Sequence, residues 1–250
     1  MILSNEDIIK YVAYFYTFKL DLKGILKDIP IETKTPNIKD TKLNTDVAIN
    51  DYLIERMFDL DNYNILSEER DFIDSNSEYT WIIDPLDGSF NFQMGIPFFC
   101  LSIALWDRSL NNPIFGCVID YNTWDLYYND NTTSFLNGSP IVVSKIKSKE
   151  QSVLSTGFST YMNSDNYGEG LISTFRNYKK VRLLGSAAMS LCYLARGSVD
   201  AYCESDLKIW DAAAGIPIVQ KAGGSIKFVK SSNNKIDVNG NNGFEDIQIN

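Results

Sequence analysis

Trp81-Ile82-Ile83-Asp84-Pro85-Leu86-Asp87-Gly88-Ser89-Phe90-Asn91-Phe92 is the stretch that decides how this chain is read. Three apolar residues run into an Asp, a Pro, a second Asp and a Gly-Ser step. The pattern predicts a buried strand whose end presents two carboxylates, then a short helix whose free N–H groups face the same spot. Paired carboxylates hold hard cations, and a helix N-terminus attracts phosphate. Together they point to metal-assisted phosphate chemistry. Asp and Pro are also common turn formers, which accounts for Asp84-Pro85 but not for an unbroken apolar strand feeding two acids and Gly-Ser.

Other acids stand at predicted element ends. Glu68-Glu69 follows the short strand Asn64-Ile65-Leu66, and Asp211 opens a helix at Trp210-Asp211-Ala212. Thr45-Asp46 lies at the start of a helix carrying Ile49, Leu53 and Met57, and Glu204 closes the strand-like run before it. Singly, each has an ordinary explanation: a solvated loop acid or a helix cap. Their shared placement at element ends raises the joint case for convergence on Mg²⁺, which favours carboxylates, carbonyls and water.

The bulk composition narrows the chemistry. The 250 residues carry a net charge of −9 with no long basic run, which argues against a nucleic-acid-tracking surface. There is no histidine, which excludes Ser-His-Asp and Cys-His catalysis and every His-ligated zinc site. Cys100, Cys117, Cys192 and Cys203 form no C-x-x-C pair and read as free thiols in apolar surroundings. The first residues lack the basic start and long apolar core of a signal peptide, and no apolar run reaches membrane-spanning length. The expectation is a cytoplasmic protein with no membrane partner.

Along the chain, Ser4 is placed to cap a helix bearing Ile8, Val12 and Phe15. Pro30 and Pro36 bracket an irregular piece. Residues 98–106, 113–121 and 125–128 predict an antiparallel meander, closed by a turn at Asn137-Gly138 and a strand over 141–143. A soft boundary near 145–151 divides an N-terminal α+β half, 1–147, from a C-terminal α/β half, 148–250. The second half predicts strands at 152–156, 199–202 and 225–229, and helices at 186–195 and 212–221, the latter interrupted or shifted by Pro217. The Asn- and Gly-rich stretch 231–243 predicts a mobile turn region. Strands with helices on their faces argue for a layered mixed α/β fold.

The opening stretch closely resembles the signature of the inositol monophosphatase family of Mg²⁺-dependent, lithium-sensitive phosphatases. Trp210-Asp211-Ala212-Ala213-Ala214-Gly215, with Ala222-Gly223-Gly224 following, resembles that family's second signature. Thr45-Asp46, Glu68-Glu69 and Gly185-Ser186-Ala187-Ala188 leading to Ala201-Tyr202-Cys203-Glu204 match in the expected order. The resemblance spans about Ser4 to Val229.

It implies an αβαβα sandwich, usually a homodimer. Glu68, Asp84 and the Leu86 carbonyl would bind a first Mg²⁺, and Asp84, Asp87 and Asp211 a second, with Glu68 helping to hold a third. Gly88 and Ser89 would cradle the phosphate, Ser89 and Asp46 would orient the attacking water, and Ser186, Ala187 and Glu204 would contact the substrate, beside Asp87 and Asp211. The implied reaction is hydrolysis of a small phosphomonoester, with inositol 1-phosphate leading. Phe90 stands where a small polar residue is usual, and Gly-Ser-Phe-Asn-Phe with Gly95-Ile96-Pro97 resembles archaeal-type members that also hydrolyse fructose 1,6-bisphosphate. Another sugar phosphate remains open, a 3′,5′-bisphosphate nucleotide ranks lower, and a silent binding or regulatory member is the non-enzymatic rival.

Overall fold

The strand predicted before Asp84 runs further, through both acids, as β2 (Tyr79–Asp87). It lies second in a seven-stranded sheet of order β1-β2-β3-β4-β5-β6-β7. The other strands are β1 (Asn64–Ser67), β3 (Cys100–Asp107), β4 (Asn112–Asp120), β5 (Leu126–Asn129), β6 (Ser134–Leu136) and β7 (Ser139–Ile141). Only the β1–β2 pair is parallel; the rest is the expected meander. Asn137 and Gly138 both take positive φ, 50° and 83°, which suits the tight turn between β6 and β7. The computed structural model describes residues 3–28, 44–158, 170, 172–231 and 234–244. The predicted Pro30–Pro36 piece lies outside them.

Both faces of this sheet are buried, which is why its strands read as continuous apolar runs rather than alternating ones. Trp81 and Ile83 of β2, Leu101, Ile103 and Leu105 of β3, and Phe115, Cys117 and Ile119 of β4 face one core. Helices α1 (Asn5–Asp28) and α2 (Asn44–Leu60) cover that face. From α1 come Ile8, Tyr11, Phe15, Phe18 and Leu22, a three-four spacing that makes one stripe. Each such buried side chain contributes roughly 1.5–3 kcal/mol. Ser4 caps α1 as expected: its Oγ accepts from the Asp7 N–H at 3.0 Å, and the Asp7 carboxylate accepts from the Ser4 N–H at 3.3 Å.

The opposite face carries Ile82, Ala104, Trp106 and Val118 into a second core. That core is filled by α4 (Ala187–Ala195) and α6 (Gly215–Lys221), and by Tyr202, Leu207, Ile236 and Val238 of a second sheet. The second sheet has the order β11-β12-β10-β8-β9, built from β8 (Val153–Thr156), β9 (Lys180–Leu183), β10 (Ala201–Lys208), β11 (Ser225–Lys230) and β12 (Lys235–Asn241). Beyond it, Leu154, Ala201 and Phe244 pack with Phe175, Tyr178 and Val181, next to a helical turn at 172–175. Helices, sheet, helices, sheet and helix therefore stack as the αβαβα sandwich. The first sheet ends at Ile141 and the second begins at Val153, on either side of the soft boundary, but one core joins them.

Two expectations are corrected. Within the stretch expected to be a mobile turn region, residues 235–241 form β12, which sits between β10 and β11 because Ile236 and Val238 alternate with polar residues and point into the core. The expected strand at 199–202 is β10, which continues to Lys208, so Glu204 lies within a strand instead of closing one. The helix expected at 212–221 begins at Gly215 as α6, after a separate short α5 (Ile209–Ala212); this is the shifted start expected from Pro217, which falls in the first turn of α6, where its missing N–H costs nothing.

Candidate functional site

A β-bulge builds the site. Asp84 pairs with Ser102 of β3 and Asp87 with Cys100, so three steps on β2 match two on β3. In a regular strand, residues 84 and 87 would point to opposite faces. The extra residue changes the phase. Leu86 turns into the α1/α2 core, and Asp87 comes to the same face as Asp84. Pro85 has no N–H to lose from the ladder there. Gly88 then takes φ 87°, and a Cβ would meet the Phe98 carbonyl oxygen at 2.9 Å, so the turn into α3 (Ser89–Met94) needs glycine.

From the middle helix layer, α5 brings Asp211 to this face. Ser102 donates its hydroxyl to the Trp210 carbonyl at 3.1 Å, fixing α5 on β3. One carboxylate oxygen from each of Asp84, Asp87 and Asp211 lies within 4.8 Å of the others. Asp84 is 2% and Asp87 8% exposed. Named hydrogen bonds tie one oxygen of each acid. Leu86 N–H donates to Asp84 Oδ1 at 2.9 Å, and Lys208 N–H to Asp211 Oδ2 at 3.1 Å. Ser186 Oγ at 2.5 Å and Ala188 N–H at 2.8 Å both donate to Asp87 Oδ2. Each acid is thereby oriented and keeps a second oxygen for a cation.

Electrostatics says the same. Burial, then Glu68, Asp87 and Asp211, push the Asp84 carboxyl well above its usual range. Burial also raises Asp211, with Asp87 and Glu68 adding to it. Asp87 is raised to about 6 by burial, against the lowering pull of Ser186 and Ala188. Buried like charges this close require either protons or a cation, and an all-oxygen set fits a hard divalent ion. Glu68 follows β1, with its N–H donating to the Ile83 carbonyl at 3.2 Å. Its charge reaches Asp84 and Asp211, though it stands outside the 4.8 Å group.

Beside the acids is a cavity of about 250 Å³ whose lining includes Asp87, Ser186, Ala187, Glu204 and Asp211. Five residues named from the sequence thus meet at one opening. Ser186 also caps α4, accepting from the Met189 N–H. Ser89, the first residue of α3, is exposed. Asp46 falls in α2, but its side chain lies outside the described residues. The sequence reading missed Tyr202 and Gly157. Tyr202, buried, donates its phenol to Glu204 Oε2 at 2.7 Å, and a Cβ at Gly157 would run into the Glu204 carboxylate. Burial raises the Glu204 carboxyl, with Tyr202 opposing. The Tyr-x-Glu spacing on one strand was the available signal, since residues two apart share a face. All four cysteines are free, with Cys203 half-buried and the others buried. No helix among the described residues is long and apolar enough to cross a membrane.

A five-layer sandwich in which the buried acids of β2 and the half-buried Asp211 of α5 converge, with the exposed Glu68 nearby after β1, defines the class: metal-dependent phosphatases of the αβαβα type. The chain belongs to the inositol monophosphatase family, whose sequence profile matches residues 11–242. Chloroplastic phosphatase IMPL1 of Arabidopsis thaliana is 36% identical over 200 residues, 76% of this chain and 52% of that protein. The chain thus spans about half the length of that relative. Fructose-1,6-bisphosphatase of Pyrococcus furiosus is 34% identical over 219 residues, covering 86% of this chain and 81% of that one. Among solved structures, inositol monophosphatase from Anabaena superposes with a TM-score of 0.72 at 30% identity, over 79% of this chain and 81% of the other.

Proposed function

We propose that the chain is a Mg²⁺-dependent phosphatase of small polyol or sugar phosphomonoesters, with inositol 1-phosphate the leading substrate. The observation that carries this reading is Glu204, a carboxylate sharing one cavity with Asp87 and Asp211. A carboxylate there accepts hydroxyl donors and repels a second phosphate, which suits a polyol. Bound Mg²⁺, as two to three ions on Glu68, Asp84, the Leu86 carbonyl, Asp87 and Asp211, would neutralise the phosphate and acidify water.

The chain's own groups do the rest. The N–H groups of Gly88 and Ser89 hold a phosphate oxygen at the turn into α3. The Ser89 hydroxyl and the Asp46 carboxylate orient the attacking water. Ser186 fixes Asp87, while Ala187 and Glu204 position the leaving alcohol. The exposed apolar side chains Phe90, Met94 and Ile96 support a homodimer through this edge.

One second reading has support: the likeness to a protein named fructose-1,6-bisphosphatase favours that bisphosphate as an alternative. A phosphate-release panel with Mg²⁺ tests both, comparing inositol 1-phosphate, fructose 1,6-bisphosphate, glycerol 2-phosphate and adenosine 3′,5′-bisphosphate. Fastest release from inositol 1-phosphate is expected. Preference for the fructose ester moves the assignment to the second reading, and no release from any of them points to a non-catalytic member.

A further inference from the structure

A second cavity, of about 340 Å³, opens between the two sheets and shares no lining residue with the first. Its floor is apolar and buried, with Ile82 from β2 and Trp106 from β3. Its rim is cationic, with Arg108 just after β3 and Lys230 at the end of β11, beside Asn111. No carboxylate lines it, although the chain carries a net charge of −9.

Both cations lack an acidic counterpart among the described residues. Arg108 donates to the Ser77 carbonyl at 3.1 Å, and Lys230 donates to Asn111 Oδ1 at 3.3 Å. Neither appears among the ion pairs of the described residues, which join other side chains. The Lys230 ammonium rests over the Trp106 ring, 4.4 Å from its centroid. Desolvation there lowers the Lys230 pKa. Two cations with no acidic partner among the described residues, above a buried aromatic floor, are complementary to a ligand that is anionic at one end and apolar at the other, and the volume falls in the range of small-molecule pockets, roughly 300–1,000 Å³.

We propose that this cavity binds a small organic anion, its charged head between Arg108 and Lys230 and its aromatic or aliphatic body on Trp106 and Ile82. The assignment is independent of the phosphatase reading. The cavity nevertheless lies just behind the acid cluster: Leu66, Ile82 and Ile209 line it, and each stands two residues before Glu68, Asp84 or Asp211. A bound body rests on the same segments that hold those acids.

The probe is benzenesulfonate, which has an anionic head and an aromatic body but no phosphoester to hydrolyse. The full chain, ¹⁵N-labelled and held in Mg²⁺, is titrated while the assigned Trp106 indole N–H signal is followed by NMR. A saturable shift is expected. It should weaken by at least about 10-fold in Arg108→Gln/Lys230→Gln, since both charged contacts to the anionic head are lost. Benzyl alcohol, matched in body but uncharged, should bind at least as much more weakly. Both substituted side chains are exposed, and the dispersion of the other indole signals in the same spectra reports an intact fold. Absence of a saturable Trp106 shift, an undiminished shift in the double variant, or equal binding of benzyl alcohol would each overturn the proposal.

Discussion

The hydroxyl of Ser186 donates to Asp87 Oδ2 at 2.5 Å across a gap of 99 residues in the chain, tying the start of α4 to the acid cluster on β2. The same oxygen accepts the Ala188 N–H, so the start of α4 dictates how Asp87 is presented. Outer groups that orient metal ligands usually contribute about 10–100-fold to affinity or activity. Ser186→Ala should therefore raise the Mg²⁺ concentration for half-maximal phosphate release by about 10-fold or more. Ser186→Thr, which keeps the hydroxyl, should recover most of it. Identical Mg²⁺ dependence in wild type and Ser186→Ala would show that Ala188 alone suffices.

Asp84 is the acid most exposed to like charge, being buried against Glu68, Asp87 and Asp211. Asp84→Asn removes one repelling charge and keeps the shape. Phosphate release should fall by more than about 100-fold, beyond the usual effect of an outer group. The metal-free protein should at the same time melt at a higher temperature than metal-free wild type, because a buried unpaired charge has gone. Retained turnover, or a lower melting temperature without metal, contradicts the placement of Asp84 as a cation ligand.

The acids at this site were legible in the sequence, but their convergence was not. Asp84 and Asp87 are only three positions apart in sequence, yet their shared face depends on a bulge that shifts the β2–β3 register, and register is a property of two strands. Asp211 could be read only as the start of a helix; what aims it at Asp84 is the Ser102 bond to the Trp210 carbonyl. The meander was readable because its strands are apolar and polar turn residues separate them, with Asn137-Gly138 at the last turn. β12 was not, because its last three residues are Asn-Gly-Asn inside a longer Asn- and Gly-rich stretch, and the apolar side chains of its two-residue alternation are Ile236 and Val238 alone. Tyr202 escaped notice because a buried Tyr is ordinarily core, and its bond to Glu204 becomes evident only when β10 is seen to continue.

The acid cluster should make the metal-free protein less stable as pH rises. Asp87 is raised to about 6 in the folded chain, against an unfolded value of about 3.9. Between those values the folded state binds more protons than the unfolded state, so stability falls with rising pH. The contribution is complete below the unfolded pKa and is lost as pH passes through the folded one. For Asp87 alone it amounts to about 3 kcal/mol. Metal-free protein should therefore melt higher at pH 5 than at pH 7.5, and Asp87→Asn should shrink that difference. Excess Mg²⁺ should narrow or invert it, since the cation binds the deprotonated acids. A metal-free melting temperature that is flat or rises across this range would show that the three acids do not carry this repulsion.

Glu204 is held from two sides, by the Tyr202 phenol and by the bare backbone of Gly157, which leaves no room for a methyl group beside the carboxylate. Gly157→Ala should push Glu204 out of position while the acid cluster, on other elements, stays intact. If Glu204 recognises substrate hydroxyls, the KM for inositol 1-phosphate should rise by about 10-fold or more, the equivalent of about one charged hydrogen bond. An aryl phosphate with no hydroxyls to offer, such as 4-nitrophenyl phosphate, should keep its kcat/KM within about 3-fold, a change of less than 1 kcal/mol. Glu204→Gln should show the same split without a steric clash. Equal losses on both substrates would instead mean that Gly157 supports the metal centre, and no loss on either would remove Glu204 from substrate recognition.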